Sequence, residues 1–180
     1  MKKKLQELKK EKIGKENVMR TIKLEKVILS AGATGQDLEK AKKLLELISG
    51  KKAQIIVSNK RIPDFGVRPG LEVGTRVTVR GEEAKALLKR LLAAEENKIK
   101  AKQVSQNHFS FGIKEYIEIP GIEYQREIGI KGLNITVVLV RPGLRVKRKK
   151  IKSGHVPKKQ YISAEEVIKF MEEKFQTEFI

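Results

Sequence analysis

The chain contains no cysteine. That excludes disulfides, zinc–thiolate sites and thiol nucleophiles together, and it fits a reducing, cytoplasmic setting. Tryptophan is also missing, and aromatics make up 5% of the 180 residues, so a core has to rest on leucine, isoleucine and valine. No apolar run approaches the roughly 20 residues of a membrane-spanning helix. Near the start, Leu5 and Leu8 stand isolated among lysines and form no secretory h-region. Aspartate and histidine are scarce: Asp37, Asp64, His108 and His155 are all there are. The histidines have no HxxxH or HExxH spacing, no carboxylate pair stands out, and neither a G-x-S-x-G elbow nor a Walker A loop occurs. A non-enzyme with no metal and no cofactor is expected.

Charge is abundant. Forty Lys and Arg against 22 acids give +18, with a pI near 10.0. Such an excess attracts anionic polymers, nucleic acid first and an anionic lipid surface second. With 39% hydrophobic residues the chain can still bury a core.

Residues 1–15 read as a basic N-terminal extension, and 16–180 as a single α+β domain. Ile22 and Leu24 alternate with Lys23 and Glu25 before the run Val27-Ile28-Leu29, which predicts a strand over 17–30. Ala31–Gly35 is a small-residue turn with Thr34 as N-cap. Gly32-Ala33-Thr34-Gly35 is also a GxxG, read either as a tight turn or as backbone N–H groups offered to phosphate. Leu38, Ala41, Leu44, Leu45 and Ile48 predict a helix over 36–49, stopped by Gly50. A short strand over 54–58 leads to a loop opening with Lys60 and Arg61. Its tip, Ile62 to Gly70, has its bends fixed by two prolines and two glycines, with Phe65 and Arg68 left for contact and little to pack. In the next strand Thr75, Val77 and Val79 point one way and Arg76, Thr78 and Arg80 the other. Ala84, Leu87, Leu88, Leu91 and Leu92 predict a helix over 82–98. Phe109–Ile119 has strand character broken at Gly112, and Asn134–Val140 reads as a strand buried on both faces or nearly so. Seven Lys and Arg lie between Arg141 and Lys152 and read as a phosphate grip. Ser163 to Glu166 spells a capping box, and Val167, Phe170, Met171 and Phe175 form a last helical face. His108, beside Phe109, either stacks on a base or packs. The sum is α+β: a mainly antiparallel sheet, helices packed on one face, a cationic opposite face and a long projecting loop.

Four segments, NVMRTIKLEKVIL, FGVRPGLEVGTRVTVRG, NHFSFGIKEYIEIPGI and GLNITVVLVRPG, occur in the order found in a known family. From Asn17 onward the chain resembles the universal 5S rRNA-binding protein of the large ribosomal subunit, fifth in that subunit's naming series, in its archaeal form. The resemblance implies a structural ribosomal protein of the central protuberance that contacts 5S rRNA, other large-subunit rRNA, P-site tRNA and, across an intersubunit bridge, the thirteenth protein of the small-subunit head, with no membrane. It implies 5S rRNA contacts at Asn17, Met19, Arg20, Lys26, Thr34, Gly35, Lys60, Arg61, Arg76, Thr78 and Arg80, and a tRNA-facing loop at Phe65, Gly66, Val67 and Arg68. Ser30–Gly35 departs from the family's Asn-x-Gly-x-Gly form. The alternative reading is a stand-alone RNA chaperone or RNA-modifying enzyme, which requires a pocket of convergent polar groups. A third is a peripheral protein on anionic lipid.

Overall fold

The computed structural model describes residues 17–180, so the extension expected over residues 1–15 lies outside the described residues. Six strands form one antiparallel sheet in the order β2-β3-β1-β7-β6-β5. These are β1 (Lys23–Gly32), β2 (Gln54–Val57), β3 (Glu72–Arg80), β5 (Val104–Ser105), β6 (His108–Ile113) and β7 (Leu133–Val140). The helices are α1 (Gln36–Ser49), α2 (Glu82–Ala94), the single turn α3 (Arg145–Arg148) and α4 (Ala164–Phe175). A separate parallel pair joins β4 (Lys98–Ile99) to β8 (Glu178–Phe179).

The α+β reading holds, and the alternation along each strand explains it. Val27, Leu29, Val77, Val79, Phe109, Phe111, Ile135 and Val137 all point to one side and are buried. Onto that side α1 lays Leu38, Ala41, Leu44, Leu45 and Ile48, and α2 lays Ala84, Leu87, Leu88, Leu91 and Leu92. Val167 and Met171 of α4 complete the same core. Each fully buried Leu contributes about 1.5–3 kcal/mol, so the two leucine stripes fix the sheet's covered side.

Local detail departs from expectation in several places, each with a physical reason. The residue capping α1 is Gly35, not Thr34. Its φ of +62° suits glycine, and no side chain caps the helix. The helix ends as expected, with Gly50 left-handed and its N–H bonded to the Glu46 carbonyl. Helix α2 stops at Ala94 rather than running to 98. Glu96 and Asn97 take positive φ, which turns the chain back so that Lys98–Ile99 can pair with β8. The expected first strand starts only at Lys23, because Val18–Arg20 forms a 3-10 turn. Strand β6 runs through Gly112 and ends at Ile113, where a break was expected at the glycine. Strand β7 is buried on one side only: Leu133, Ile135, Val137 and Leu139 are covered, while Thr136, Val138 and Val140 are partly exposed. The capping box is formed as spelled, with Ser163 Oγ accepting from Glu166 N–H and Glu166 accepting from Ser163 N–H.

Candidate nucleic-acid interface

Among the described residues no long helix covers the other side of the sheet, and strand register lines its residues into three rows. The first is Gln54, Arg76, Ser30, Asn134 and Gly112; the second Thr78, Ile28, Thr136 and Ser110; the third Arg80, Lys26, Val138 and His108. Amides, hydroxyls and cations dominate. They are steadied from within: Arg76 Nε donates to Gln54 Oε1 at 3.2 Å, and the Ser110 and Thr136 hydroxyls lie 3.0 Å apart. The period of two that buries Thr75, Val77 and Val79 leaves Arg76, Thr78 and Arg80 exposed, as their spacing required.

One acid interrupts the face. A bulge between Leu24 and Lys26 carries Glu25, whose carboxylate takes Arg80 at 3.3 Å and Arg148 at 2.6 Å. Burial alone pushes the Glu25 pKa up. The hydrogen bond and charge of Arg148, with the charges of Lys26 and Arg80, outweigh it and hold the carboxyl below its ordinary value. Sequence reasoning passed over Glu25 and counted Arg148 only as one of the seven cations of the Arg141–Lys152 grip. Glu25 looked like one solvated position in an alternating strand, and its partner comes 123 residues later.

The remaining candidates gather at the two ends of the sheet. Asn17, Met19 and Arg20 sit beside the start of β1. Asn17 Oδ1 accepts from Met19 N–H at 3.0 Å, and Gln160 donates to the carbonyls of Met19 and Pro142 at 3.1 and 2.8 Å. This exposed turn is therefore fastened to the segment following β7, at the end of the sheet that holds Lys26 and Arg80. Thr34 and Gly35 are exposed beyond the other end of β1, where the β2–β3 loop also lies. Lys60 and Arg61 stand exposed in that loop.

The loop is more ordered than its composition suggested. Ile62 and Val67 exchange backbone hydrogen bonds of 2.9 and 3.0 Å, closing a short turn over Pro63–Phe65. Phe65 is 80% exposed, and Gly66 and Arg68 are exposed as well. Val67 is 7% exposed, so it seats the tip instead of offering a contact. Arg141, counted in the basic grip, is likewise not on offer: it is buried, bonded to Glu166 at 2.7 Å and to the Lys159 carbonyl.

Between α2 and α4 lies a groove of about 950 Å³ with Ile22, Leu24, Phe170 and Phe175 in its walls; its ionisable groups are lysines and Glu82. Among the described residues no group of His, Cys, Asp and Glu could hold a metal ion, and no helix is long and apolar enough to cross a membrane.

Fold and face together define a class: a basic α+β protein whose sheet is helix-backed on one side and bare and cationic on the other. Residues 17–68 match the family described as ribosomal protein L5, and residues 72–171 match the ribosomal L5P family C-terminus. The chain is 39% identical over 168 residues to large ribosomal subunit protein uL5 of Sulfurisphaera tokodaii, covering 91% of this chain and 95% of that one. It is 42% identical to the uL5 of Nanoarchaeum equitans (92% and 99% covered) and 36% to that of Archaeoglobus fulgidus (89% and 92%). The chain belongs to the ribosomal protein L5 family, making it a structural constituent of the large ribosomal subunit and not an enzyme.

Proposed function

We propose that this protein binds 5S rRNA with the bare face of its sheet and helps attach that RNA in the central protuberance of the large subunit. The observation that carries the reading is the one-sided sheet: Lys26, Arg76 and Arg80 among hydroxyls and amides, with no long helix over them among the described residues. Cations on such a face neutralise phosphates and supply affinity, while the folded shape of the RNA supplies specificity. Lys26, Arg76, Thr78 and Arg80 form the centre of the contact. Asn17, Met19 and Arg20 extend it at one end, and Thr34, Gly35, Lys60 and Arg61 at the other. Phe65, Gly66 and Arg68, seated by Val67, face P-site tRNA. A further surface meets the thirteenth protein of the small-subunit head, and other large-subunit rRNA lies alongside. Residues 16–180 act as one RNA-binding domain, to which residues 1–15 add positive charge.

A filter-binding titration against 5S rRNA and an unrelated structured RNA, over a salt series, tests this. The expected result is tighter binding to 5S rRNA at every salt concentration. Arg76→Ala is expected to weaken it and to reduce the slope of log affinity on log salt by roughly 0.7–0.9, one phosphate's worth. Equal affinity for both RNAs, or an unaltered slope in Arg76→Ala, refutes the face.

A further inference from the structure

A carboxylate is out of place on a surface built to meet a polyanion, yet Glu25 sits among Lys26, Arg80 and Arg148. Its exposure explains how it is tolerated. The Glu25 side chain is 9% exposed, while Arg80 and Arg148 are 58% and 54% exposed. Oε1 accepts from Arg80 Nη1 and Oε2 from Arg148 Nη2, so both oxygens are occupied and hidden. Each guanidinium carries five N–H donors in a planar fork. Among the described residues, neither Arg80 nor Arg148 bonds to any acceptor other than Glu25. In the Arg141–Glu166 pair it is the cation that is covered, 8% exposed against 43% for the acid. At Glu25 the acid is covered and the two cations remain open, with one net positive charge between them.

The arrangement removes two costs of a paired-arginine site. Like charges brought together repel, and each long side chain carries about 2 kcal/mol of rotamer entropy. Glu25 offsets the repulsion and fixes both side chains before any ligand arrives. Arg80 comes from β3 and Arg148 from α3, so the same carboxylate also ties the basic segment after β7 to the sheet.

We propose that Glu25, Arg80 and Arg148 form a phosphate-binding bracket, in which Arg80 and Arg148 together take a phosphodiester of the RNA backbone and Glu25 is the positioning residue that holds them. Guanidinium forks match phosphate oxygens two at a time, which makes the phosphodiester the natural ligand. The bracket rests on the RNA-binding reading above and gives Arg148, one cation among seven in the basic run, a particular partner and ligand.

The test is filter binding of the full chain to 5S rRNA, comparing Glu25→Gln, Arg148→Ala, Lys150→Ala and the double variant Glu25→Gln/Arg148→Ala. Glu25→Gln raises the net charge by one, so charge counting alone predicts tighter binding. The bracket predicts the opposite sign, about tenfold weaker, the scale of one charge-assisted hydrogen bond. Arg148→Ala is expected to lose about tenfold, more than Lys150→Ala, which removes the same charge from an exposed position. Once Arg148 is gone, Glu25→Gln is expected to cost far less, the non-additivity of groups acting as one unit. Binding by Glu25→Gln that equals or exceeds the unaltered chain overturns the bracket, as does an Arg148→Ala indistinguishable from Lys150→Ala. The latter comparison stands by itself if Glu25→Gln folds poorly. If the unaltered chain does not prefer 5S rRNA and Arg76→Ala changes nothing, the RNA-face reading fails and takes the bracket with it.

Discussion

At the scale of single residues, arginine is the telling case. Arg76, Arg80, Arg141 and Arg148 are the same side chain in three settings. Arg76 leans on an amide, Arg80 and Arg148 share a carboxylate, and Arg141 is buried against Glu166. Strand period made Arg76 and Arg80 legible in the sequence. Nothing local separated Arg141 from Arg148, because each is defined by an acid distant in the chain. The acids respond to pH accordingly. Glu25 and Glu166 are both held below the ordinary 4.5: burial pushes each up, but Arg148 overcomes it at Glu25, and the Ser163 backbone with Arg141 overcomes it at Glu166. A depressed carboxyl favours the fold fully above its unfolded pKa, and that contribution disappears as pH falls through the folded value. The stability difference between the unaltered chain and Glu25→Gln should therefore shrink on going from about pH 6 to about pH 3. Urea midpoints at both pH values measure it, and a difference that stayed constant or grew would contradict the assignment.

At the scale of elements, legibility followed the range of the signal. Helix α1 was readable to the residue, since its five-position stripe and its glycine stop are local. Helix α2 overran because Glu95, Glu96 and Asn97 sit in a sequence that favours helix, whereas their conformation answers to β8, some eighty positions on. Strand β7 misread as doubly buried because Val138 and Val140 are apolar on the side that carries the cations. The β2–β3 loop is the element with a separable task. Its bridge between Ile62 and Val67 holds the tip without help from Phe65. Phe65→Ala is thus expected to leave 5S rRNA affinity within about twofold and the unfolding midpoint nearly unchanged, in keeping with a surface substitution. Its effect should fall on tRNA placement, read by footprinting of P-site tRNA on reconstituted subunits. An altered 5S rRNA affinity with normal tRNA footprints would remove the division of labour between face and tip.

At the scale of the whole molecule, +18 on 180 residues is a strain on the free protein. Self-repulsion opposes compaction, and pairs such as Lys43–Glu127 and Lys131–Asp37 offset only part of it. Screening relieves it. Raising ionic strength from about 0.01 M to about 0.15 M shortens the Debye length from ~30 to ~8 Å. The thermal midpoint of the isolated chain should rise over that range, and 5S rRNA at low salt should raise it further by binding only the folded form. A midpoint that fell with salt would mean that the exposed ion pairs outweigh the net repulsion. The sign of the net charge needed only counting; the side on which it is left bare needed the strand order.

Strand order also sets a schedule for the nascent chain. Among the described residues the first strand to emerge, β1, occupies an interior place, and its second neighbour, β7, is made about a hundred residues later. Until then one edge of β1 offers unpaired backbone groups beside Val27 and Leu29, the kind of open template on which other chains aggregate. Synthesis interrupted before Leu133 therefore leaves a half-built product whose open edge other chains can pair with.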